Sequence, residues 1–377
     1  MGGETDTIVI GAGPAGLAVG AALRARNLPF VVLERHDRVA SSWRGHYERL
    51  HLHTPKNHSA LPFLDYPKSY PRYPSRDQVV AYLDEYARAF DIQPHFGQDV
   101  VRCTPTAGDG WEVETQAATW RGRHIVVATG FSRVPCMPVQ PGRDSFAGSI
   151  LHSRDYVNGE PFRGKRVLVV GFGNSGAEIA LDLWEHGAHP SISARGEVNV
   201  IPREVLGIPV TQLALAGRYL PPRMADRVNA LMIRLAIGDL TRHGIRKRPD
   251  GPFIEVLEHR QVPVIDVGTV ALIRRGLVQM RPAITRFDHA QVCFADGRRE
   301  SYDAVILATG FRTGLQSLLP DNLSLLDAAG YPRAHGTAAS TPGLYFCGFN
   351  LVPTGLLREI ALDAARIAVQ IGQARRQ

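Results

Sequence analysis

Gly11, Gly13 and Gly16 stand at G-x-G-x-x-G spacing directly after the β-branched run Thr7-Ile8-Val9-Ile10, with Pro14 and Ala15 between them. Gly171, Gly173 and Gly176 repeat the arrangement after Val167-Leu168-Val169-Val170, with Asn174 and Ser175 between the last two. Glycines at this spacing do three different jobs: one makes the tight turn, one lets backbone N–H groups approach a pyrophosphate, and one lets helix and strand pack closely. The helix that follows turns its unpaired N–H groups and positive dipole end toward the phosphates. A single such turn is often purely structural. Two in one chain, each after a strand and before an Ala- and Leu-rich stretch, imply two bound dinucleotides.

The residues farther along each motif suggest which dinucleotide each binds. After the first motif a helix runs to Arg26 and a second strand, Phe30-Val31-Val32-Leu33, ends at Glu34, followed by Arg35. An acid about 20 residues past the glycines accepts hydrogen bonds from an adenosine ribose, so Glu34 selects a free diol, as in FAD or NAD. In the second motif the strand Ser191-Ile192-Ser193-Ala194 ends at Arg195, which is expected to take the place of Glu34. A guanidinium fork there, with no carboxylate to repel a 2′-phosphate, favours NADPH. Ser193 would add a neutral donor. Arg203 reads equally well as a second cation or as a surface arginine.

These residues need a scaffold to hold them. Two further apolar strands, Arg123 to Gly130 and Asp303 to Gly310, both end in Ala-Thr-Gly, which places Thr129 and Gly130 beside the first ligand. Near the C-terminus, Gly343 to Asn350 reads as a strand and glycine turn, and Gly355-Leu356-Leu357 opens a helix to about Gln373. Asn350 and Leu356 would then bring backbone N–H groups to the electron-rich edge of a flavin, with a strand and helix that only complete the sheet as the other reading. The expected architecture is α/β, with two Rossmann-like dinucleotide-binding domains, the NADPH domain inserted in a discontinuous FAD domain. The FAD domain would comprise residues 1–160 and 303–377. The NADPH domain would comprise 161–302, with a helical insert at about 205–262.

Composition narrows the partners. The chain has 377 residues and a formal charge of +7, with its basic residues scattered rather than striped with aromatics. That pattern fits small anionic ligands better than nucleic acid. The four cysteines, Cys103, Cys136, Cys293 and Cys347, form no CxxC pair, so neither a metal site nor a redox dithiol is expected. The apolar start is broken by Gly11, Gly13 and Gly16 and lacks a basic leader, so it reads as strand, turn and helix rather than signal peptide. A cytoplasmic protein with no membrane span is expected, and a homodimer stays open. Pro222 to Leu240 is apolar and helical but carries Arg223, Arg227 and Arg234. It would cover a substrate channel or a subunit contact, with plain core packing as the rival reading.

The segment Phe146-Ala147-Gly148-Ser149-Ile150-Leu151-His152-Ser153-Arg154-Asp155-Tyr156 resembles the FxGxxxHxxxY signature of the flavin-containing monooxygenases. Within that family the chain looks most like the YUCCA-type enzymes. The likeness lies in Leu50 to Lys56, Tyr73 to Arg76, Val200 to Glu204, Pro263 to Thr269 and Gly355 to Leu357. Tyr156 stands where Baeyer–Villiger relatives carry Trp. The resemblance implies FAD reduced by NADPH, retained NADP⁺, and a C4a-(hydro)peroxyflavin that oxygenates a small molecule. It also places Trp43, Thr54 and Val100 against the flavin cofactor, and His53, Lys56 and Asn57 as the nearest polar side chains. His53 falls where amine-oxidising relatives have Asn. Asn174, with His53, is the residue expected nearest the reacting atoms, while His152 is expected to support the domain junction. The implied substrate is an aryl 2-oxo acid, with an amine or thioether as the alternative. A dithiol reductase or a non-catalytic flavoprotein is a remote third reading.

Overall fold

The computed structural model describes residues 2–108, 110–217 and 219–375. They form two compact units. The first draws on the described residues up to Arg44, on Thr54–Val134 and on the chain from Phe311 onward, and the second on Gly45–His53 and Pro135–Gly310.

A six-stranded sheet underlies the first unit. Glu4–Ile10 runs parallel between Phe30–Leu33 and Thr119–Val127, so that Ile10 stands beside both Leu33 and Val127. The long strand Thr119–Val127 changes partner along its length. Its start pairs antiparallel with Trp111–Thr115, and its end pairs parallel with Leu344–Phe346. Val100–Pro105 completes the antiparallel edge. The apolar runs are buried on both faces, as a parallel sheet covered by helices requires: Ile8, Val9, Ile125, Val126 and Val127 have no exposed surface. Helix Pro14–Arg24 packs against the C-terminal helix Leu356–Ala374. A third helix, Arg76–Ala89, starts from a capping box in which Ser75 and Gln78 satisfy each other's backbone N–H.

The second unit carries an all-parallel five-stranded sheet in the order Gln279–Arg281, His189–Ser193, Arg166–Val170, Ala304–Leu307, Ser149–His152. Its core includes Val167, Val169, Ile179, Leu183, Ile192 and Ile306, joined by Tyr47 and Tyr156. The unit is larger than the expected span 161–302. Ser149–His152 and Ala304–Leu307, expected in the FAD domain, pair with each other, and Ala304–Leu307 lies beside the second glycine strand. The reason is a repeat: in each unit the strand ending in Ala-Thr-Gly pairs directly with the strand ending in the glycine motif. Gly45–His53 also belongs here, held by Tyr47 and Leu50 in the core.

The insert forms a short hairpin, Glu204–Val205 with Ile208–Pro209, and the helices Val210–Gly217, Pro222–Ile237 and Pro252–His259. Ala214, Ala225 and Phe253 make a small core of their own. The middle helix stops at Ile237, before the expected Leu240, because Gly238 takes a positive φ of 67°. Among the described residues no helix is long and apolar enough to cross a membrane.

Candidate functional site

The glycine motifs repeat at atomic detail in both units. Gly11 and Gly171 adopt φ of 107° and 110°. A Cβ at either would meet the carbonyl oxygen of Ala128 or Ala308, at 2.8 and 2.4 Å. Only glycine fits there. A Cβ on Gly16 or Gly176 would lie 1.8 or 2.0 Å from the oxygen of Gly11 or Gly171, so these third glycines close the helix onto the turn. The middle glycines differ. Around Gly13 the nearest heavy atom to a built Cβ is Ser42 Oγ at 4.0 Å, and around Gly173 nothing lies within 4 Å. Each middle glycine caps a helix of 11 or 12 residues whose first turn has no acidic residue and no side-chain cap. Unpaired N–H groups therefore face open space that a side chain would fill, which is a fitting cradle for a pyrophosphate.

The two sites diverge one step past the second strand. Glu34 is buried, and its carboxylate accepts hydrogen bonds from Ala12 N at 2.8 Å and His36 N at 3.0 Å. These bonds fix it at the mouth of the glycine turn. Backbone register identifies its counterpart. Gly11 N donates to Leu33 O and Gly171 N to Ser193 O, so Glu34 corresponds to Ala194 and Arg35 to Arg195. The expected match of Arg195 with Glu34 is thus one residue out. In the second site a methyl group replaces the carboxylate, and the exposed Arg195 follows it. Ser193 is buried and its hydroxyl donates to Pro282 O at 2.8 Å, so that proton is already engaged. Arg203 is half-buried, and its carbonyl accepts from Val210 N.

The other residues expected at the first site take several forms. Thr129 Oγ1 is buried without a hydrogen-bond partner, whereas its counterpart Thr309 donates to Cys136 O at 2.5 Å. An orphaned hydroxyl beside the glycine turn is the kind of group a ligand satisfies. Gly130 has φ of 69° and open space around it. Thr54 packs its methyl group where a Cβ on Gly355 would sit, at 2.8 Å, and so touches the N-terminus of the 19-residue C-terminal helix that Leu356 begins. Asn350 and Trp43 are half-buried, and Arg35 is exposed with its Nε toward His36. The Val100 side chain is core, and its carbonyl accepts from Arg133 Nη2. Lys56 departs from expectation: its ammonium donates to the carbonyls of Pro67, Lys68 and Tyr70 at 3.0, 2.9 and 2.5 Å, so it clamps a loop. Asn57 beside it is exposed.

In the second unit a polar cluster forms on the helix Asn174–Glu185. His53 Nε2 lies 2.5 Å from Oε1 of Glu178, a carboxylate with 2% exposure. Tyr47, also buried, lies near Ser175 and Glu178, and burial pushes its phenol well above the ordinary range. Asn174 is bound at both ends: Nδ2 donates to Pro263 O and Oδ1 accepts from Ile265 N. Its amide therefore ties the glycine helix to the strand Val264–Asp266. Sequence reasoning missed Glu178 and Tyr47. The signal was present, since Glu178 follows Asn174 by four residues and shares its helix face.

His152 supports the end of the sheet. It is buried, Nε2 lies 3.2 Å from Gly310 O, and Nδ1 accepts from Arg154 N. Burial lowers its pKa, which keeps the ring neutral with the proton on Nε2. Tyr156 donates to Asp182 at 2.6 Å in the same core. All four cysteines are free, and among the described residues no cluster could hold a metal ion.

Residues 8–204 match the family described as pyridine nucleotide-disulphide oxidoreductase. The chain is 40% identical over 370 residues to indole-3-pyruvate monooxygenase YUCCA1 of Oryza sativa subsp. japonica, covering 97% of this chain and 90% of that one. It is also 40% identical to the probable indole-3-pyruvate monooxygenase YUCCA1 of Arabidopsis thaliana, covering 97% and 89%. Among solved structures, a flavin-containing monooxygenase from Stenotrophomonas maltophilia superposes with a TM-score of 0.74 at 27% identity, over the whole of both chains. Two open pyrophosphate cradles, one with a carboxylate for a ribose diol and one without, agree with what these relatives are. The chain belongs to the flavin-containing monooxygenases, on their YUCCA-type branch, and is an FAD- and NADPH-dependent monooxygenase.

Proposed function

We propose that the chain oxidatively decarboxylates an aryl 2-oxo acid, with indole-3-pyruvate as the model substrate. One dioxygen, one NADPH and one proton convert R–CO–COO⁻ to R–COO⁻, carbon dioxide, NADP⁺ and water. The C1–C2 bond breaks, one oxygen atom enters the new carboxylate, and the other leaves as water. FAD in the first unit would rest on Gly11 to Gly16, with its ribose on Glu34 and its flavin end toward Thr129, Thr54 and Leu356. NADPH would rest on Gly171 to Gly176, with its 2′-phosphate toward Arg195. Bound FAD supplies the activation of dioxygen, and the chain supplies binding, orientation and exclusion of water.

The observation that carries the substrate class is the anchoring of His53. Glu178 holds Nε2, so the ring cannot swing, and Nδ1 has no partner among the described residues. That leaves Nδ1 as the ring atom available to a substrate's carboxylate or keto group. Asn174 ties the helix that carries Glu178 to the strand Val264–Asp266, so the anchor of that histidine sits on a fixed frame. The names of the plant relatives point to the same substrate class.

The test is steady-state turnover of the FAD-loaded enzyme with indole-3-pyruvate, phenylpyruvate, trimethylamine and a simple thioether, recording NADPH oxidation, carbon dioxide and hydrogen peroxide. The 2-oxo acids are expected to release about one carbon dioxide per NADPH with little peroxide. Tight coupling to the amine or thioether, with no response to either 2-oxo acid, would overturn the substrate assignment.

A further inference from the structure

The helix Pro222–Ile237 has two apolar faces. One packs inward through Ala225, Ile233 and Ile237. The other looks outward, with Met224, Val228, Leu231 and Leu235 between 51% and 79% exposed. Their spacing of four, three and four residues puts them on one stripe along the helix. A stripe of this kind on a solvent-facing surface marks a contact.

The charges beside the stripe identify the contact. Arg223, Arg227 and Arg234 are exposed and form a second row along its flank, about a quarter-turn round the helix. Among the described residues none of the three makes an ion pair. The helix has one acid, Asp226, which is buried and accepts hydrogen bonds from Phe253 N and Ile254 N. The outward side is therefore apolar and predominantly cationic, with the exposed Asp239 just past the helix as the one acid beside Arg234. A second copy docking stripe to stripe would set six arginines along one seam against only the two Asp239 carboxylates. An anionic phospholipid surface offers what both rows lack, acyl chains for the stripe and headgroup phosphates for the guanidiniums.

We propose that this helix seats the enzyme on the surface of an anionic phospholipid bilayer, lying in the interface with its leucine stripe inserted and its arginines at headgroup level. The attachment is peripheral and reversible. It is independent of the substrate assignment.

Flotation of the full FAD-loaded chain with vesicles tests it, using phosphatidylcholine alone and an equal mixture with phosphatidylglycerol, each at low and high salt. The expected result is co-flotation with the anionic vesicles at low salt, release at high salt, and none with phosphatidylcholine. Arg227→Gln/Arg234→Gln should lower the partition coefficient about thirtyfold. Leu231→Gln/Leu235→Gln should lower it at least tenfold, while both variants retain stoichiometric FAD and the parent melting temperature. No flotation at low salt, or flotation that neither double variant weakens, would overturn the proposal. So would a dimer seen by sedimentation that the leucine variant dissolves while vesicles are ignored, because the stripe would then be a contact between copies.

Discussion

One carboxylate oxygen, Oε1 of Glu178, sets where the His53 ring sits. Both partners are largely out of water, so removing the carboxylate leaves the imidazole unanchored. A hydrogen bond to a charged group of this kind contributes about 1.5–3 kcal/mol. Glu178→Ala is therefore expected to lower coupled turnover of a 2-oxo acid by roughly ten- to a hundredfold. The rate of flavin reduction by NADPH should change little, because the nucleotide helix is held separately through Asn174. Glu178→Gln keeps an acceptor for Nε2 and should recover much of the loss. Stopped-flow reduction beside steady-state turnover separates the two effects. Equal loss in both, unrelieved by glutamine, would make Glu178 a packing residue only.

At the scale of elements, the strand–turn–helix motifs were legible because their information is local. Three glycines, a preceding β-branched run and a following helical stretch lie within a few residues, and the structure places them as the spacing predicts. What escaped was non-local. Arg195 was matched to Glu34 by distance along the sequence, but strand register makes Ala194 the counterpart. The partners His53 and Glu178 are 125 residues apart. Lys56 was expected among the polar side chains nearest the flavin, and its clamp on three carbonyls escaped because they belong to a loop that sequence alone does not fold back.

The glycine geometry also makes a clean prediction. In the ligand-free fold Gly13 has φ of −81° and room for a side chain, whereas Gly16 has none. Gly13→Ala should therefore fold with a near-parental melting temperature yet bind FAD at least tenfold more weakly, since the methyl group occupies the pyrophosphate cradle. Gly16→Ala should not give folded protein. Circular dichroism with flavin absorbance reads both, and full FAD occupancy in Gly13→Ala would refute the assignment of the first cradle.

Across the whole chain, the two-dinucleotide plan was readable from repetition, but its boundaries were not. The strand Ala304–Leu307 has the same apolar run and Ala-Thr-Gly ending as its equivalent in the first unit, Thr119–Val127, so composition could not say which sheet it joins. Pairing decides that, and it assigns the strand to the second unit. The insert likewise announced a helix, but only burial shows that its second apolar face is turned outward.

The central claim is that NADPH and dioxygen are used together to place one oxygen atom in a small-molecule product. Turnover of an aryl 2-oxo acid under dioxygen labelled with oxygen-18, with NADPH limiting, tests it most directly. The account predicts one labelled oxygen in the arylacetate carboxylate for each NADPH consumed, the other label appearing in water. Label recovered entirely as hydrogen peroxide, with every substrate class returned unoxygenated, would contradict it.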